Sequence, residues 1–152
     1  MADFIKNRFK SNNQDWETPD DIFIPLNKEF RFTLDVSATI KNTKCSSFFT
    51  IEQNGLLQKW KGVCWMNPPY NETGKWVKKA FEESFRGITV VCFIQARTNT
   101  NWWHDYCMKG EIRFIRGRPK FKGCKYGLPQ PLAIVIFRGE TPKEYADRIL
   151  NK

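Results

Sequence analysis

The chain has 152 residues, of which 41% are hydrophobic and 27% charged, so a disordered or fibrous protein is excluded and one globular domain is expected. Its apolar stretches are too short to cross a bilayer and no secretory signal is visible, so a soluble cytoplasmic protein is expected. The 25 basic and 16 acidic residues give a net charge of +9, which predicts a polyanionic partner, either nucleic acid or an anionic membrane surface.

The order of predicted elements indicates the fold class. Residues 1–15 are polar with little pattern, so they are predicted to form a flexible arm before a single domain over residues 16–152. Thr18-Pro19-Asp20-Asp21 predicts a helix start capped by the Thr18 hydroxyl, and Pro25 is expected to kink or shorten that helix. Further helices are predicted over residues 76–85, 101–108 and 142–150, and strands over residues 32–36, 45–50, 62–66, 88–94, 111–116 and 132–137. Strands that alternate with helices predict an α/β fold with a mainly parallel central sheet.

The cysteines and the single histidine form no pattern typical of a metal site. No CxxC pair is present, and no two of the five cysteines are closer than 15 residues. We therefore expect reduced thiols and no bound metal. A cysteine–histidine nucleophile would have to use His104, and nothing near it in the sequence supports that chemistry.

Asn67-Pro68-Pro69-Tyr70 follows directly after the buried strand predicted over residues 62–66. Ligand sites in open α/β sheets lie beyond the carboxyl ends of strands. The two prolines end the strand and have no N–H, so their carbonyls can face outward as acceptors beside the Asn67 side-chain oxygen. Together with the flat side chain of Tyr70, these four residues predict a rigid binding pocket, here called the cup, for a planar ligand ring that carries an amino group. The alternative is a tight turn with Tyr70 packed inside the protein.

Such a cup can perform chemistry on a nucleobase. The amino nitrogen of adenine or cytosine is a poor nucleophile because its lone pair is delocalised into the ring. Hydrogen bonds from both amino hydrogens to fixed acceptors favour a pyramidal nitrogen, which can attack an electrophilic methyl group in line. A base within a duplex cannot reach the cup, so it must be flipped out and stacked on Tyr70.

A basic segment, residues 109–125, contains seven basic residues and one acid, with aromatic residues among them. This mixture favours a surface that contacts phosphates and bases, whereas charge alone fits a solvated loop equally well. The residues predicted to contact nucleic acid are Lys79, Arg97, Arg116, Arg118, Lys120 and Lys122.

An ordered set of motifs gives the chain a family resemblance. The motifs are Trp16-x-Thr18-Pro19, Phe32-Thr33-Leu34-Asp35-Val36-Ser37-Ala38-Thr39, Asn54-Gly55-Leu56, Trp60, Trp65-Met66-Asn67-Pro68-Pro69-Tyr70, Trp76-Val77-x-Lys79-Ala80, Arg97-Thr98-x-Thr100-x-Trp102 and Arg116-Gly117-Arg118-x-x-Phe121. Residues 16–138 resemble the small phage-type DNA N6-adenine methyltransferases, the Dam-like group of bacteriophages and prophages. Asn-Pro-Pro-Tyr alone also occurs in other methyltransferases, so the ordered set carries the resemblance.

The resemblance implies a compact, Rossmann-like methyltransferase fold, S-adenosylmethionine (SAM) as cofactor, and the N6 amino group of adenine in DNA as acceptor. It implies that Asp35 lies near the methionine amino group of the cofactor. The other cofactor contacts that it implies are Thr18, Pro19 and Asn54. Val36-Ser37-Ala38 takes the place of the usual glycine-rich loop, and its backbone amides are candidates for cofactor contacts.

The chain also departs from the family pattern. Asn67 stands where many adenine methyltransferases have aspartate, and its amide oxygen accepts a hydrogen bond without adding negative charge. Only 32 residues separate Asp35 from Asn67, which leaves room for about one intervening strand, so a trimmed sheet is expected. No separate target-recognition domain fits, and loops must bind the DNA.

Three other functions fit parts of the sequence. The same cup can serve cytosine-N4 methylation, and the missing glycine-rich loop is compatible with a non-catalytic DNA-binding protein on a decayed methyltransferase scaffold. Methylation of a protein glutamine is disfavoured by the net charge of +9. We expect a monomer or a homodimer, in the cytoplasm of the bacterial host if a phage encodes it.

Overall fold

The described part of the chain folds around one five-stranded sheet in the order β1-β2-β3-β5-β4. A computed structural model describes residues 17–122, 124–127 and 129–152, so the predicted arm over residues 1–15, and Trp16, lie outside the described residues. The strands are β1 (Leu34–Asp35), β2 (Val63–Met66), β3 (Thr89–Gln95), β4 (Glu111–Phe114) and β5 (Leu132–Phe137). The helices among the described residues are α1 (Asp20–Phe30), α2 (Thr73–Ser84), α3 (Asn101–Asp105) and α4 (Pro142–Leu150).

Strand direction determines which loops can meet. β1, β2 and β3 pair in parallel, β5 pairs antiparallel with β3, and β4 pairs antiparallel with β5. β4 therefore points the same way as β1, β2 and β3, and β5 alone of the described strands is reversed. The predicted α/β fold with a mainly parallel sheet is confirmed. The loops that follow β1, β2, β3 and β4 all lie at one edge of the sheet, which we call the carboxyl edge.

Helices cover both faces of the sheet because alternate strand residues point to opposite sides. One face, with Met66 and Cys92, packs against α2, and the other, with Trp65 and Phe93, packs against α1. β3 is buried on both faces from Val90 to Gln95, as its continuous apolar run predicts.

The predicted strand over residues 45–50 is wrong. Here only Phe48 bridges to Asp35 of β1, with hydrogen bonds of 3.0 Å from the Asp35 amide to the Ser47 carbonyl and from the Phe49 amide to the Asp35 carbonyl. β1 is shorter than predicted because the Asp35 carboxylate accepts hydrogen bonds from the amides of Ser37 and Lys44, which turn the chain over the strand end. The sheet is trimmed at this side.

Several predicted element boundaries differ from the structure. α1 continues through Pro25 to Phe30, so the predicted shortening is wrong. The proline removes a single N–H donor, while its neighbours Phe23 and Leu26 are buried against the sheet and hold the helix in place. The predicted helix over residues 101–108 divides into α3 and a 3₁₀ turn at Cys107–Lys109, and β4 ends at Phe114 rather than at residue 116.

Two negative findings apply to the described residues. No helix among them combines the length and apolar character that crossing a membrane requires. Within the same part of the chain, no three histidine, cysteine, aspartate or glutamate side chains are grouped as the ligands of a metal ion would be.

The packing of Phe93 predicts a large stability loss on truncation. Its ring lies 6.1 Å from that of Trp65 and 5.5 Å from that of Phe121, between centroids, and it is 1% exposed. Phe93→Ala is expected to lower the free energy of unfolding by about 3–5 kcal/mol, measured by urea denaturation. Phe114→Ala is the matched control, because that ring is 68% exposed; its loss is expected to stay below about 1 kcal/mol. Equal losses would contradict the assignment of the core.

Candidate active site

A cleft of about 280 Å³ opens at the carboxyl edge, between the loops that follow β1 and β2. It brings together predicted site residues that are far apart in the sequence, namely Thr18, Asp35, Val36, Ser37, Ala38, Asn54, Asn67, Pro68 and Pro69. Its size is close to the lower end of small-molecule sites, which range over roughly 300–1,000 Å³. Pro19 and Tyr70 do not line it.

Asn67, directly after β2, contacts the segment before α1. Its side-chain Nδ2 donates a hydrogen bond of 3.1 Å to the Thr18 hydroxyl oxygen. The predicted capping role of Thr18 is wrong, because the N-cap residue of α1 is Pro19 and no side chain caps the helix. The Pro19 carbonyl accepts the first-turn amides of Ile22 and Phe23 instead. The Thr18 hydroxyl is therefore part of the cleft wall.

The two prolines differ in their hydrogen bonding. The Pro69 carbonyl accepts the Glu72 amide at 3.1 Å and the Thr73 hydroxyl at 3.5 Å, so it is used inside the turn that leads into α2. The Pro68 carbonyl and the Asn67 Oδ1 accept no hydrogen bond from the described residues. The expectation of two outward proline carbonyls is correct for Pro68 and wrong for Pro69. The cleft therefore has two neighbouring free acceptors.

Tyr70 lies between the cleft and the basic segment. Its ring meets that of Phe121 edge to face, with 6.4 Å between the centroids. Burial raises the pKa of the Tyr70 hydroxyl above its usual range, so the side chain is neutral. Tyr70 as a whole remains partly exposed.

Asp35 is a buried carboxylate that forms no salt bridge with the described residues. It is 3% exposed and accepts the amides of Ser37 at 3.3 Å and Lys44 at 3.0 Å. The Lys44 ammonium group pairs with Glu17 at 2.9 Å rather than with Asp35. Burial raises the pKa of Asp35 to about 7, and the two amide hydrogen bonds and the positive charge of Lys44 oppose that rise only in part. A cationic ligand in the cleft would stabilise the ionised form.

The segment Val36-Ser37-Ala38 lines the cleft without offering its amides. The amide of Val36 bonds to the Trp65 carbonyl at 3.1 Å, that of Ser37 to Asp35, and that of Ala38 to the Phe49 carbonyl at 3.0 Å. All three amides have protein partners, and the expectation that they contact a cofactor stays a prediction. The segment contributes side chains and carbonyls to the wall.

Asn54 and Gly55 close the cleft from the other side. The Asn54 side chain accepts the Leu56 amide at 3.2 Å and caps the 3₁₀ turn Gly55–Leu57. Gly55 approaches β1 so closely that a Cβ atom there would collide with the Val36 carbonyl. The sequence predicts Asn54 as a cofactor contact and assigns no separate role to Gly55, although glycine is the residue that such a close backbone approach needs.

Other lining residues were missed by sequence reasoning. Lys44 lines the cleft with a side chain that is 8% exposed, and Trp76 and Lys75 of α2 line it as well. A place in the cleft could have been predicted for Trp76, because it begins the apolar face of the helix that follows Asn67-Pro68-Pro69-Tyr70. Nothing in the sequence marks Lys44, since its position depends on contacts with Glu17 and Asp35.

The basic segment reaches the carboxyl edge because β4 and β5 are joined there. Phe121 is buried against Phe93, and Lys122 forms an isolated antiparallel bridge with Glu17. Between these anchors and β4, the exposed side chains are those of Arg116, Arg118 and Lys120. They have no ion-pair partner in the part of the chain that the structure describes. Arg97, after β3, is exposed at the same edge.

Lys79 and Lys122 have acidic partners. Lys79 pairs with Glu83 at 3.2 Å on α2 and is largely buried. Lys122 pairs with Asp20 at 3.0 Å and with Glu17 at 3.3 Å. These contacts account for both side chains without DNA, so their roles as DNA contacts stay predictions.

Comparison with known proteins gives the family. The model of the family described as DNA N-6-adenine-methyltransferase (Dam) matches residues 6–135. The DNA N-6-adenine-methyltransferase of Haemophilus phage HP1 is 37% identical over 148 residues, which cover 90% of this chain and 85% of that protein. The chain belongs to the DNA N-6-adenine-methyltransferase (Dam) family. The resemblance of residues 16–138 is thereby confirmed, and membership implies a methyl donor.

Two further relatives match shorter parts of this Dam-family protein. The DNA N-6-adenine-methyltransferase of Escherichia phage T1 is 30% identical over 94 residues, 59% of this chain and 39% of that protein. The putative methyltransferase YfdM of Escherichia coli K12 is 38% identical over 69 residues, 40% of this chain and 76% of that protein.

The buried Asp35 predicts a pH-dependent stability. Its pKa is about 7 in the folded protein against an ordinary 3.8, so between these values the folded state keeps a proton that the unfolded state releases. Raising the pH from about 4 to 7 therefore favours unfolding, and the loss attributable to Asp35 is on the order of 4 kcal/mol. Urea denaturation at a series of pH values should show this decline in the wild type. Asp35→Asn should lack it, and identical pH slopes in both proteins would contradict the prediction.

Proposed function

We propose that this protein transfers the methyl group of SAM to the N6 amino group of adenine in DNA. The observation that carries the proposal is the pair of free acceptors, Asn67 Oδ1 and the Pro68 carbonyl, beside a cleft that contains the buried Asp35 carboxylate. The names of the phage relatives support adenine as the base. Because those relatives are phage proteins, we place the reaction in the cytoplasm of a bacterial host.

The residues of the cleft fit SAM. Asp35 forms no salt bridge with the described residues, and the ammonium group of a bound amino acid moiety would supply one. Thr18, Asn54 and the segment Val36-Ser37-Ala38 form the surrounding wall. When bound, SAM supplies an electrophilic methyl group. Pro19 is the N-cap of α1 beside this wall, so its contribution is the position of Thr18.

The chain's own contribution to catalysis is the binding of the amino group. Asn67 Oδ1 and the Pro68 carbonyl each accept one amino hydrogen, which holds the nitrogen lone pair toward the cleft. Such fixed acceptors act by position and by electrostatics, since they need no reorganisation during the reaction. The surplus proton of the methylated nitrogen passes to solvent. Tyr70, at the rim, stacks on an adenine that has left the duplex.

The identity of the base is tested by the product. Labelled SAM is incubated with unmethylated plasmid DNA, which is then digested to nucleosides and analysed by mass spectrometry. We expect N6-methyladenine. N4-methylcytosine would move the reaction to the other amino-bearing base, and DNA retention without any methylated nucleoside would contradict an enzymatic function.

The role of Asn67 is tested by truncation. Asn67→Ala removes one acceptor, so kcat should fall by about 10²–10³-fold, the loss typical of removing one preorganised hydrogen-bond partner. The Kd for SAM, measured by calorimetry, should change by less than about threefold, because the lost contact is with the base. Asn151→Ala, at the end of α4, is the control and should leave kcat unchanged. Normal turnover of Asn67→Ala would contradict the mechanism.

The basic segment is tested by the salt dependence of DNA binding. Each phosphate contact contributes about 0.9 to the slope of log K against log salt concentration, so Arg116→Ala with Arg118→Ala should reduce that slope by roughly 1.8. The control removes the same charge at the opposite edge, by Arg138→Ala with Lys143→Ala. A slope reduced equally by both double variants would indicate net charge alone and contradict a specific contact surface.

A further inference from the structure

The hydrogen bond between Thr18 and Asn67 joins two motifs that are 49 residues apart in the sequence. Thr18 is 2% exposed and is fixed on both sides, because the Glu17 carbonyl accepts the Lys122 amide and Pro19 begins α1. Among the described residues, Thr18 is the one hydrogen-bond partner of the Asn67 side chain. The contact therefore controls how that side chain is held.

An asparagine at this position has an orientation problem that an aspartate lacks. A carboxylate offers two equivalent acceptor oxygens, whereas an amide offers one oxygen and an NH₂ group that differ in function. A half-turn about the last side-chain bond exchanges them. With the NH₂ group toward the substrate, two donors would face each other and Asn67 would repel the amino group that it must bind.

We propose that Thr18 is a positioning residue: its hydroxyl oxygen accepts the Asn67 NH₂ group and so stabilises the state in which Oδ1 faces the amino group of the target base. This inference rests on the proposed function. The target amino group presents hydrogens that only Oδ1 can accept, so Nδ2 needs a separate acceptor. The Thr18 hydroxyl oxygen supplies it at 3.1 Å. Without that oxygen, Nδ2 would lose its partner whenever Asn67 binds the base, and the complex with the base would lose one hydrogen bond.

The first test removes the hydroxyl and keeps the shape of the side chain. In Thr18→Val, kcat at saturating SAM and DNA should fall about tenfold, the equivalent of one hydrogen bond. Thr18→Ser keeps the oxygen and should restore most of the turnover. Thr89→Val is the matched control, since it also removes a hydroxyl that accepts one hydrogen bond, from the Gly139 amide at 3.0 Å, but at the opposite edge of the sheet. Its kcat should stay at the wild-type value.

A direct measurement of SAM binding separates positioning from cofactor contact. The proposal expects the Kd for SAM of Thr18→Val to stay within about threefold of wild type while kcat falls. A weakened Kd with an unchanged kcat at saturation would show that Thr18 only lines the cofactor cleft, and would overturn the proposal. Circular dichroism of each variant identifies a loss of folding.

A double-mutant cycle supplies the sharpest test. Asn67→Asp replaces the amide by a carboxylate, either oxygen of which can accept the amino hydrogen. In that background Thr18→Val should cost less than about threefold in kcat, against about tenfold in the background of Asn67. An equal cost in both backgrounds, or an Asn67→Asp protein without turnover, would overturn the argument. A wild-type protein that methylates no DNA would instead refute the proposed function, so the two failures are distinguishable.

Discussion

The insertion of the reversed strand β5 between β3 and β4 is the constraint on which the site depends. It leaves β4 pointing the same way as β1–β3, so the connection from β4 to β5 turns at the carboxyl edge. That connection carries most of the basic segment. Had β4 been antiparallel to β3, its following loop would lie at the far edge, about one strand length from the cleft. The sheet topology therefore brings a cationic surface to the loop Asn67–Tyr70.

The sheet has no full strand beside β1, and this changes how the wall of the cleft is formed there. A single bridge at Phe48 replaces a full neighbouring strand, and the amides of Val36-Ser37-Ala38 bond within the protein. The wall consequently depends on Asp35 and on the close approach of Gly55 to Val36. Burying a carboxylate with two amide donors, and with no salt bridge to the described residues, costs stability when it is ionised. A site held in this state favours a positively charged ligand over a neutral one, since the ligand removes the cost.

The sequence predicts most accurately those elements and residues that a local residue pattern determines. The continuous apolar runs of β3 and β5 and the helical spacing of α2 locate those elements within one to three residues, because each is buried by its neighbours in the sheet or by one amphipathic face. Asn67 and Pro68 are found because their chemistry is visible in the string itself. The strand predicted over residues 45–50 fails because its pairing partner, β1, is cut short by hydrogen bonds to Asp35. Lys44 and the contact of Thr18 with Asn67 depend on residues distant in the sequence, and no local pattern contains them.

Thr18 does not cap α1 as predicted, because its hydroxyl contacts a distant loop instead. A threonine before a proline and two acids has the local preference of a helix cap, yet its hydroxyl binds Asn67 and the helix begins with the Pro19 carbonyl. Glu17, one residue earlier, pairs with Lys44 from the loop after β1 and with Lys122 from the basic segment. Glu17 and Thr18 thus contact the loop after β1, the loop that begins with Asn67, and the basic segment. A helix cap contributes only about 1 kcal/mol to stability. Without the contacts of Glu17 and Thr18, three loops would each lose their fixed position. These contacts therefore override the local preference of Thr18 for a helix cap.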